Sequence, residues 1–390
     1  MIPVEARAPT ISAYRWLALA AAFCLVAFSL WAISGELRRV LPPHGLWDFG
    51  AFVASGRAAA EGLNPYGVYP PLTPHVVFPG FEAWNPNLNP PISALLFQLF
   101  DLAPPEQSLW VWSWISVALY AAAVLLLAQR YAPDWRAIVL VAWAFGLAGF
   151  WDTLYLGQIY IPLVLAAVGA WLLLDRDQPI WAGVLIGLVI AMKPNFLVWP
   201  VLLFLSGQRL PSLVSVLTAA VISAVPLAVY GPEIYRQWLE LVVSDGERAF
   251  FLTNASISGL AARAGVPFLG TPLSAALLLA LAAWAWFRRP GIMQVSALGL
   301  LAAVLASPLG WIHYTLFLLP VIVAYRQHWA MWIVAALLVV PVPKILGYFG
   351  AEPWLQFTVG SAYGWALVLC LVVLLFSDGR TVGEPSPRLT

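Results

Sequence analysis

Reactive side chains are scarce in this sequence, and they gather at the breaks between apolar runs. Asp48 stands in Trp47-Asp48-Phe49-Gly50, just beyond the first such run. A carboxylate in that place can take the proton of a hydroxyl as its oxygen attacks a carbon. It can equally cap the helix that Phe49-Gly50-Ala51-Phe52 begins. Lys193 lies between two apolar half-helices, an expensive position for an ammonium. It reads as a ligand for phosphate at the membrane boundary, or as a snorkelling side chain with its stem among lipids. Pro194 interrupts the helical ladder there, so the irregular backbone should line a cavity rather than face lipid. His313 follows the Ser307-Pro308 turn and suits contact with a phosphate or a sugar, or a hydrogen bond between helices. Arg263 offers a fork of donors to a phosphate, or a solvated loop charge. Asp152, Gln158, Asn254, Asn64 and Tyr66 suit hydroxyl or phosphate contacts. Turn formation, helix capping and interfacial anchoring are their plain alternatives.

The elements that must position these residues follow from composition. Of 390 residues, 62% are hydrophobic and 9% charged, where a soluble domain carries about a quarter charged. No soluble fold hides so much apolar surface, so the solvent is lipid. Tryptophan, tyrosine and phenylalanine supply abundant interfacial anchors. A net charge of +1 gives no basic stripe for phosphodiesters and excludes a nucleic-acid partner. The four histidines, at 44, 75, 313 and 328, are too scattered for a zinc site, and neither a metal nor a cofactor is expected. Cys24 and Cys370 read as small packing or lipid-facing residues.

Apolar runs fall at roughly 14–33, 107–128, 137–153, 159–174, 180–192, 194–206, 212–230, 273–287, 291–306, 313–325, 330–343 and 357–376. They predict an all-α, polytopic membrane protein of about twelve transmembrane helices, a single integral membrane domain over 1–390. The pieces flanking Lys193-Pro194 are two short spans or one kinked helix. Arg7, Arg15, Arg130, Arg136, Arg176, Arg209, Arg288, Arg289 and Arg326 alternate onto one side, which the positive-inside rule makes cytoplasmic. Both termini then lie in the cytoplasm, with 377–390 a polar tail. The opposite face receives a first external loop, 34–106, and a second, 231–272. Glu36, Arg38 and Arg39 lie on that side against the rule. Amphipathic pieces at Phe49–Ala60 and Ile92–Phe100 predict external juxtamembrane helices.

The order of motifs carries a resemblance. Trp47-Asp48-Phe49-Gly50 is followed by Ser55-Gly56-Arg57, Gly62-Leu63-Asn64-Pro65-Tyr66 and Asn89-Pro90-Pro91-Ile92-Ser93. Gly157-Gln158, Ala182-Gly183 to Lys193-Pro194, Asn254-Ala255-Ser256-Ile257 and Ser307-Pro308-Leu309-Gly310-Trp311-Ile312-His313 come later. Over about 14–320 this order resembles the GT-C superfamily of membrane glycosyltransferases. It looks most like the branch of polyprenyl-phosphate-mannose-dependent α-mannosyltransferases that includes enzymes of phosphatidylinositol mannoside synthesis. The sequence departs from that branch at Asn89, where an aromatic residue is usual, at Gly310, where a second Ser is common, and at His313-Tyr314, where paired His is usual. The resemblance implies a GT-C fold and an inverting transfer of mannose from polyprenyl-phosphate-mannose to a glycolipid or polysaccharide acceptor at the external, periplasmic face. It makes Asp48 the general base, with Lys193, His313 and Arg263 on the donor phosphate. Another polyprenyl-phosphate sugar, such as arabinofuranose, is the nearest alternative. A transporter or lipid flippase also fits many spans with a broken helix, although no matching halves are visible.

Overall fold

The computed structural model describes residues 10–377, apart from 44, 79–80 and 245. Arg7, His44 and the tail beyond 377 therefore lie outside the described residues. The chain opens with α1 (Thr10–Val40) and α2 (Trp47–Ala60), then a hairpin of β1 (His75–Phe78) and β2 (Phe81–Trp84). Next come α3 (Ile92–Leu96), α4 (Pro105–Tyr131), α5 (Arg136–Gly146), α6 (Ala148–Leu156), α7 (Tyr160–Asp175) and α8 (Pro179–Met192). They lead to α9 (Val198–Leu205), α10 (Arg209–Tyr230), α11 (Glu233–Ser244), α12 (Ile257–Arg263), α13 (Gly270–Arg288) and α14 (Ile292–Leu305). The chain finishes with α15 (Leu319–Ala324), α16 (Trp329–Leu337), α17 (Val342–Leu346), α18 (Pro353–Phe357) and α19 (Ala362–Phe376).

Each of the twelve apolar runs contains helix, and the architecture is that of an all-α membrane protein. Five helices are long and apolar enough to cross a membrane, or six if α5 and α6, bent by 44° at Leu147, make one span. Length separates two roles. Long helices such as α1, α10 and α13 bury about a fifth of their spans, and the exposed remainder carries Trp16, Phe23, Leu217 and Leu279 into lipid. α14 is only 14 residues, about 21 Å against a hydrocarbon layer of about 30 Å, and all but its first two residues are buried. A short helix can live at membrane depth because protein surrounds it. Some buried aromatic polar tips find backbone carbonyls on other helices: Tyr120 Oη donates to Ala144 O at 2.7 Å and Trp143 Nε1 to Ala335 O at 3.1 Å.

Two features of the segment 34–106 differ from the sequence expectation. The hairpin adds strands, pairing His75 with Trp84 and Phe78 with Phe81. Its Val-Val and aromatic composition favours a pleated surface. α2 has the expected bounds but does not lie with a free face on the surface: Phe49 to Gly56, Ala58 and Ala59 are all buried. Gly56 makes this possible, because a Cβ there would meet the backbone of Phe97 at 2.3 Å.

The two ends of the bundle are built differently. Arg130 Nε lies 2.6 Å from Asp175 Oδ2, and Arg326 Nη2 donates to Tyr131 O at 2.6 Å. These contacts tie the C-terminal ends of α4 and α7 to the turn after α15. α7, 16 residues long, separates this end from its own N-terminus by about 24 Å, and the polar centre described next lies there.

Candidate active site

Asp48 enters the site from the first turn of α2. Trp47 before it sits at φ 39, a left-handed conformation unfavourable for a bulky side chain. Its ring is held by stacking on Tyr155 at 5.4 Å. The capping role open to Asp48 is not the one its carboxylate plays. Asn85 Nδ2, just after β2, donates to Oδ1 at 2.6 Å, and Gln158 Nε2 donates to Oδ2. The half-buried carboxyl is pushed up to about 7, first by burial and then by the nearby charge of Asp152. Arg248 and the two amides oppose the rise.

Gly157 brings Gln158 to this position. It ends α6 in the left-handed conformation, φ 68, and a Cβ there would lie 2.6 Å from Phe49 Cβ. Only glycine gives both the turn and the close approach. Trp112 Nε1 of α4 donates to Gln158 O at 3.0 Å and fixes the backbone. Gln158 is 6% exposed, and its Oε1 has no partner among the described residues.

Asp152 was expected in a turn but lies within α6. Its Oδ2 is 3.2 Å from Nδ1 of His313, in the short 3-10 stretch Ile312–Leu318. His313 is 3% exposed, and its Nε2 has no partner among the described residues. The imidazole stacks on Tyr160 at 4.5 Å. Tyr160 also joins the fourth group: Lys193 Nζ donates to Tyr160 Oη at 2.7 Å and to Tyr314 Oη at 3.3 Å. The chain around Lys193 is broken rather than kinked, with φ −140 and ψ 84 between α8 and Pro194–Leu197. Asp48 with Gln158, and Asp152 with His313 and, through Tyr160, Lys193, form two bonded groups, which the charge interactions of Asp48 with Asp152 and with Lys193 join into one centre. Its chemistry is that of a basic carboxylate beside a buried ammonium and an imidazole.

Other expected residues serve the surrounding frame. Arg263 is 6% exposed, not a solvated loop charge. It donates to Ser361 Oγ, Phe251 O and Asn254 O at 2.6, 2.8 and 2.9 Å. Burial lowers its guanidinium to about 10. Asn254 joins the segment 231–272 to the Ser307–Trp311 turn, donating to Ala249 O and Pro308 O and accepting from Ser256 N and Gly310 N. Asn64 accepts from Tyr66 N at 2.9 Å, and Tyr66 Oη donates to Asn89 O at 3.1 Å, a local turn within the first loop.

Several members of the centre were not among the sequence candidates: Asn85, Arg248, Tyr160 and Tyr314. Tyr160 and Tyr314 stand two and one positions after residues already singled out, which is the signal they offered. Arg248 lies in the charged run Asp245-Gly246-Glu247-Arg248. Glu36 and Arg39, read as exceptions to the charge rule, pair at 2.6 Å, with the guanidinium 4.3 Å from the Tyr155 ring centre. The one Asp-x-Asp spacing in the sequence, Asp175 and Asp177, falls at the opposite end of α7, where Arg130 engages Asp175. No group of three or more His, Cys, Asp or Glu side chains gathers at metal-binding distance among the described residues.

The family model described as Glycosyltransferase family 87 matches residues 87–308, more than half of the chain. The chain belongs to that family. Within the matched span lie Asp152, Gln158, Lys193, Arg248, Asn254 and Arg263, while Asp48, Asn85 and His313 flank it. The chain is also 29% identical over 255 residues to the polyprenol-phosphate-mannose-dependent alpha-(1-2)-phosphatidylinositol mannoside mannosyltransferase of Mycolicibacterium smegmatis. That match covers 58% of this chain and 57% of the relative, so the chain spans about half the length of the curated protein it matches. No solved structure matches.

Proposed function

We propose that the protein is a membrane glycosyltransferase that moves mannose from polyprenyl-phosphate-mannose to a glycolipid or polysaccharide acceptor, with inversion and at the external face. The observation that carries this reading is the clamp on Asp48. Two side-chain amides, from residues 37 and 110 positions away, hold both oxygens of a carboxylate within a centre that also contains Lys193. A carboxylate held as an acceptor, with its proton affinity near neutral, suits a general base.

The acceptor hydroxyl oxygen attacks C1 of the mannosyl phosphate from the face opposite the leaving group. The new C–O bond forms as the C1–O(phosphate) bond breaks. The hydroxyl proton passes to Asp48, and the bonding electrons leave on polyprenyl phosphate. Lys193 offsets the charge developing on that phosphate, while His313 Nε2 is available to a phosphate or sugar oxygen. Arg263 supports the neighbouring wall rather than the phosphate.

Asp48 lies at the end of α7 opposite the Arg130–Asp175 pair, and most loop arginines belong to the latter side by chain alternation. The positive-inside rule then favours the external side for the reaction. The twelve apolar runs likewise favour about twelve crossings, the shorter ones shielded by the long rim helices.

The test is transfer of labelled mannose from polyprenyl-phosphate-mannose to phosphatidylinositol mannoside by the purified protein. Wild type should transfer, and Asp48→Asn should lose about 10²-fold or more in kcat, the usual range for general-base catalysis. Near-normal turnover by a folded Asp48→Asn protein would remove Asp48 as the base. Transfer only from another polyprenyl-phosphate sugar would replace mannose as the donor sugar.

A further inference from the structure

Asn85 and Arg248 share one geometric chain that ends on Asp48. Arg248 is 7% exposed and lies in the 3-10 stretch Gly246–Phe250. Its Nη1 donates to Asn85 Oδ1 at 2.6 Å and its Nη2 to Trp84 O at 3.0 Å. A guanidinium has donors and no acceptor, so it accepts only the oxygen side of the Asn85 amide. The amide is thereby turned so that Nδ2 faces Asp48, 2.6 Å from Oδ1. Without the arginine the amide can flip and present its oxygen to the carboxylate, which repels the ionised form and favours the protonated one.

The second arm of the clamp lacks such a lock, since Oε1 of Gln158 has no partner among the described residues. The clamp is therefore asymmetric: one amide has its sense set by a fixed cation, and the other keeps an acceptor open to the site.

We propose that Arg248, acting through Asn85, is a positioning pair that holds the Asp48 carboxylate in its proton-accepting form and orientation. Neither residue is a catalytic group in this scheme. The inference rests on Asp48 being the general base. Other charged or titratable groups on the elements packed around Asp48 are Asp152 and Tyr155 on α6, Tyr160 on α7, Lys193 after α8, and His313 and Tyr314 before α15. α4 contributes Glu106 in its first turn, the stretch Phe97–Asp101 contributes Asp101, bonded to Arg57, and the hairpin carries the His75–Glu82 pair. Arg248 is the cation that lowers the proton affinity of Asp48 against the effect of Asp152.

The experiment is the pH dependence of kcat/KM for labelled mannose transfer to phosphatidylinositol mannoside, in wild type, Arg248→Met, Arg248→Lys, Asn85→Asp and Asp48→Asn. Arg248→Met should move the acidic limb up by about one pH unit or more, the usual effect of losing an opposite charge. Activity would then be lost by about tenfold below the wild-type midpoint and largely regained in alkali. Arg248→Lys keeps the charge and should move the limb less. Asn85→Asp places a second carboxylate beside the base and should raise the limb at least as far as Arg248→Met. These two variants also keep the test open should Arg248→Met not fold. A limb that stays in place while activity falls by one factor at every pH overturns the relay and leaves only a structural role. If Asp48→Asn is inactive while the other limbs stay in place, the relay alone fails; if Asp48→Asn is active, the base assignment itself fails.

Discussion

Replacing Gly157 by alanine should damage catalysis as well as the fold. The new Cβ would lie 2.6 Å from Phe49 Cβ and 2.9 Å from Leu109 Cδ1, where ordinary carbon contacts are about 3.5–4.0 Å. Relieving the overlap requires α2 and the Gly157-Gln158 turn to separate by about 1 Å, and those two segments carry Asp48 and the amide that holds it. A misplacement of that size costs about 10²-fold in rate, or about 2.7 kcal/mol of barrier. The left-handed backbone at φ 68 adds about 1 kcal/mol of instability, and overpacking adds about 1–3 kcal/mol. Gly207→Ala is the control. It has φ 98 with nothing within 4 Å of a new Cβ, and it sits between α9 and α10, far from Asp48 in the chain. It carries the backbone strain without the clash. The assay pairs mannose transfer with thermal unfolding in detergent. Gly157→Ala should lose about 10²-fold in kcat, while Gly207→Ala should lose stability alone. Equal turnover in wild type and Gly157→Ala would refute the claim that this turn positions the clamp.

Three further outcomes follow from the same geometry. Tyr160→Phe removes the 2.7 Å bond to Lys193 and leaves the 3.3 Å bond to Tyr314, so kcat should fall about tenfold, the worth of one hydrogen bond to a charge; an unchanged kcat removes Tyr160 from the cation's support. Because Asp48 acts deprotonated and its carboxyl is raised to about 7, kcat/KM should climb about tenfold per pH unit below that value and level above it; a profile flat from pH 5 to 8, roughly, contradicts this assignment. Arg263→Leu leaves two carbonyls and a hydroxyl without their donor, each worth about 1–3 kcal/mol, so thermal stability should drop with KM for the lipid donor unchanged. A raised KM with normal stability would return Arg263 to the phosphate.

The membrane class was legible at once, because apolar composition constrains the solvent regardless of tertiary detail. The helical runs were legible for the same reason, with bounds that agree within a residue at α8 and depart by four to six residues at α9, α15, α16 and α19. Asp48, Lys193 and His313 were legible because a polar residue at the edge of an apolar run stands out. Their linking partners were not. Asn85 and Arg248 lie in segments of mixed polarity outside the long apolar runs, where no contrast marks them, and their relation to Asp48 exists only once the segments after β2 and after α11 come together. The burial of Arg263 was not legible, because only the three-dimensional course of Phe251, Asn254 and Ser361 supplies it with acceptors. The burial of α2 was also hidden, since the approach of Phe97 to Gly56 depends on a partner 41 residues along the chain.

The dispersal of the centre along the chain has a consequence for how the protein is made. Asp48 meets Asn85 and Gln158, Asn85 meets Arg248, and Tyr160 meets both Lys193 and His313. The chain is made from its N-terminus, so α1 to α8 are synthesised before the imidazole has left the ribosome. Throughout that interval Lys193 and Asp48 stand without part of the assembly that later surrounds them. The nascent bundle must therefore shelter its costliest charges while unfinished, and under the proposed function the centre is complete only once the segment around His313 has docked.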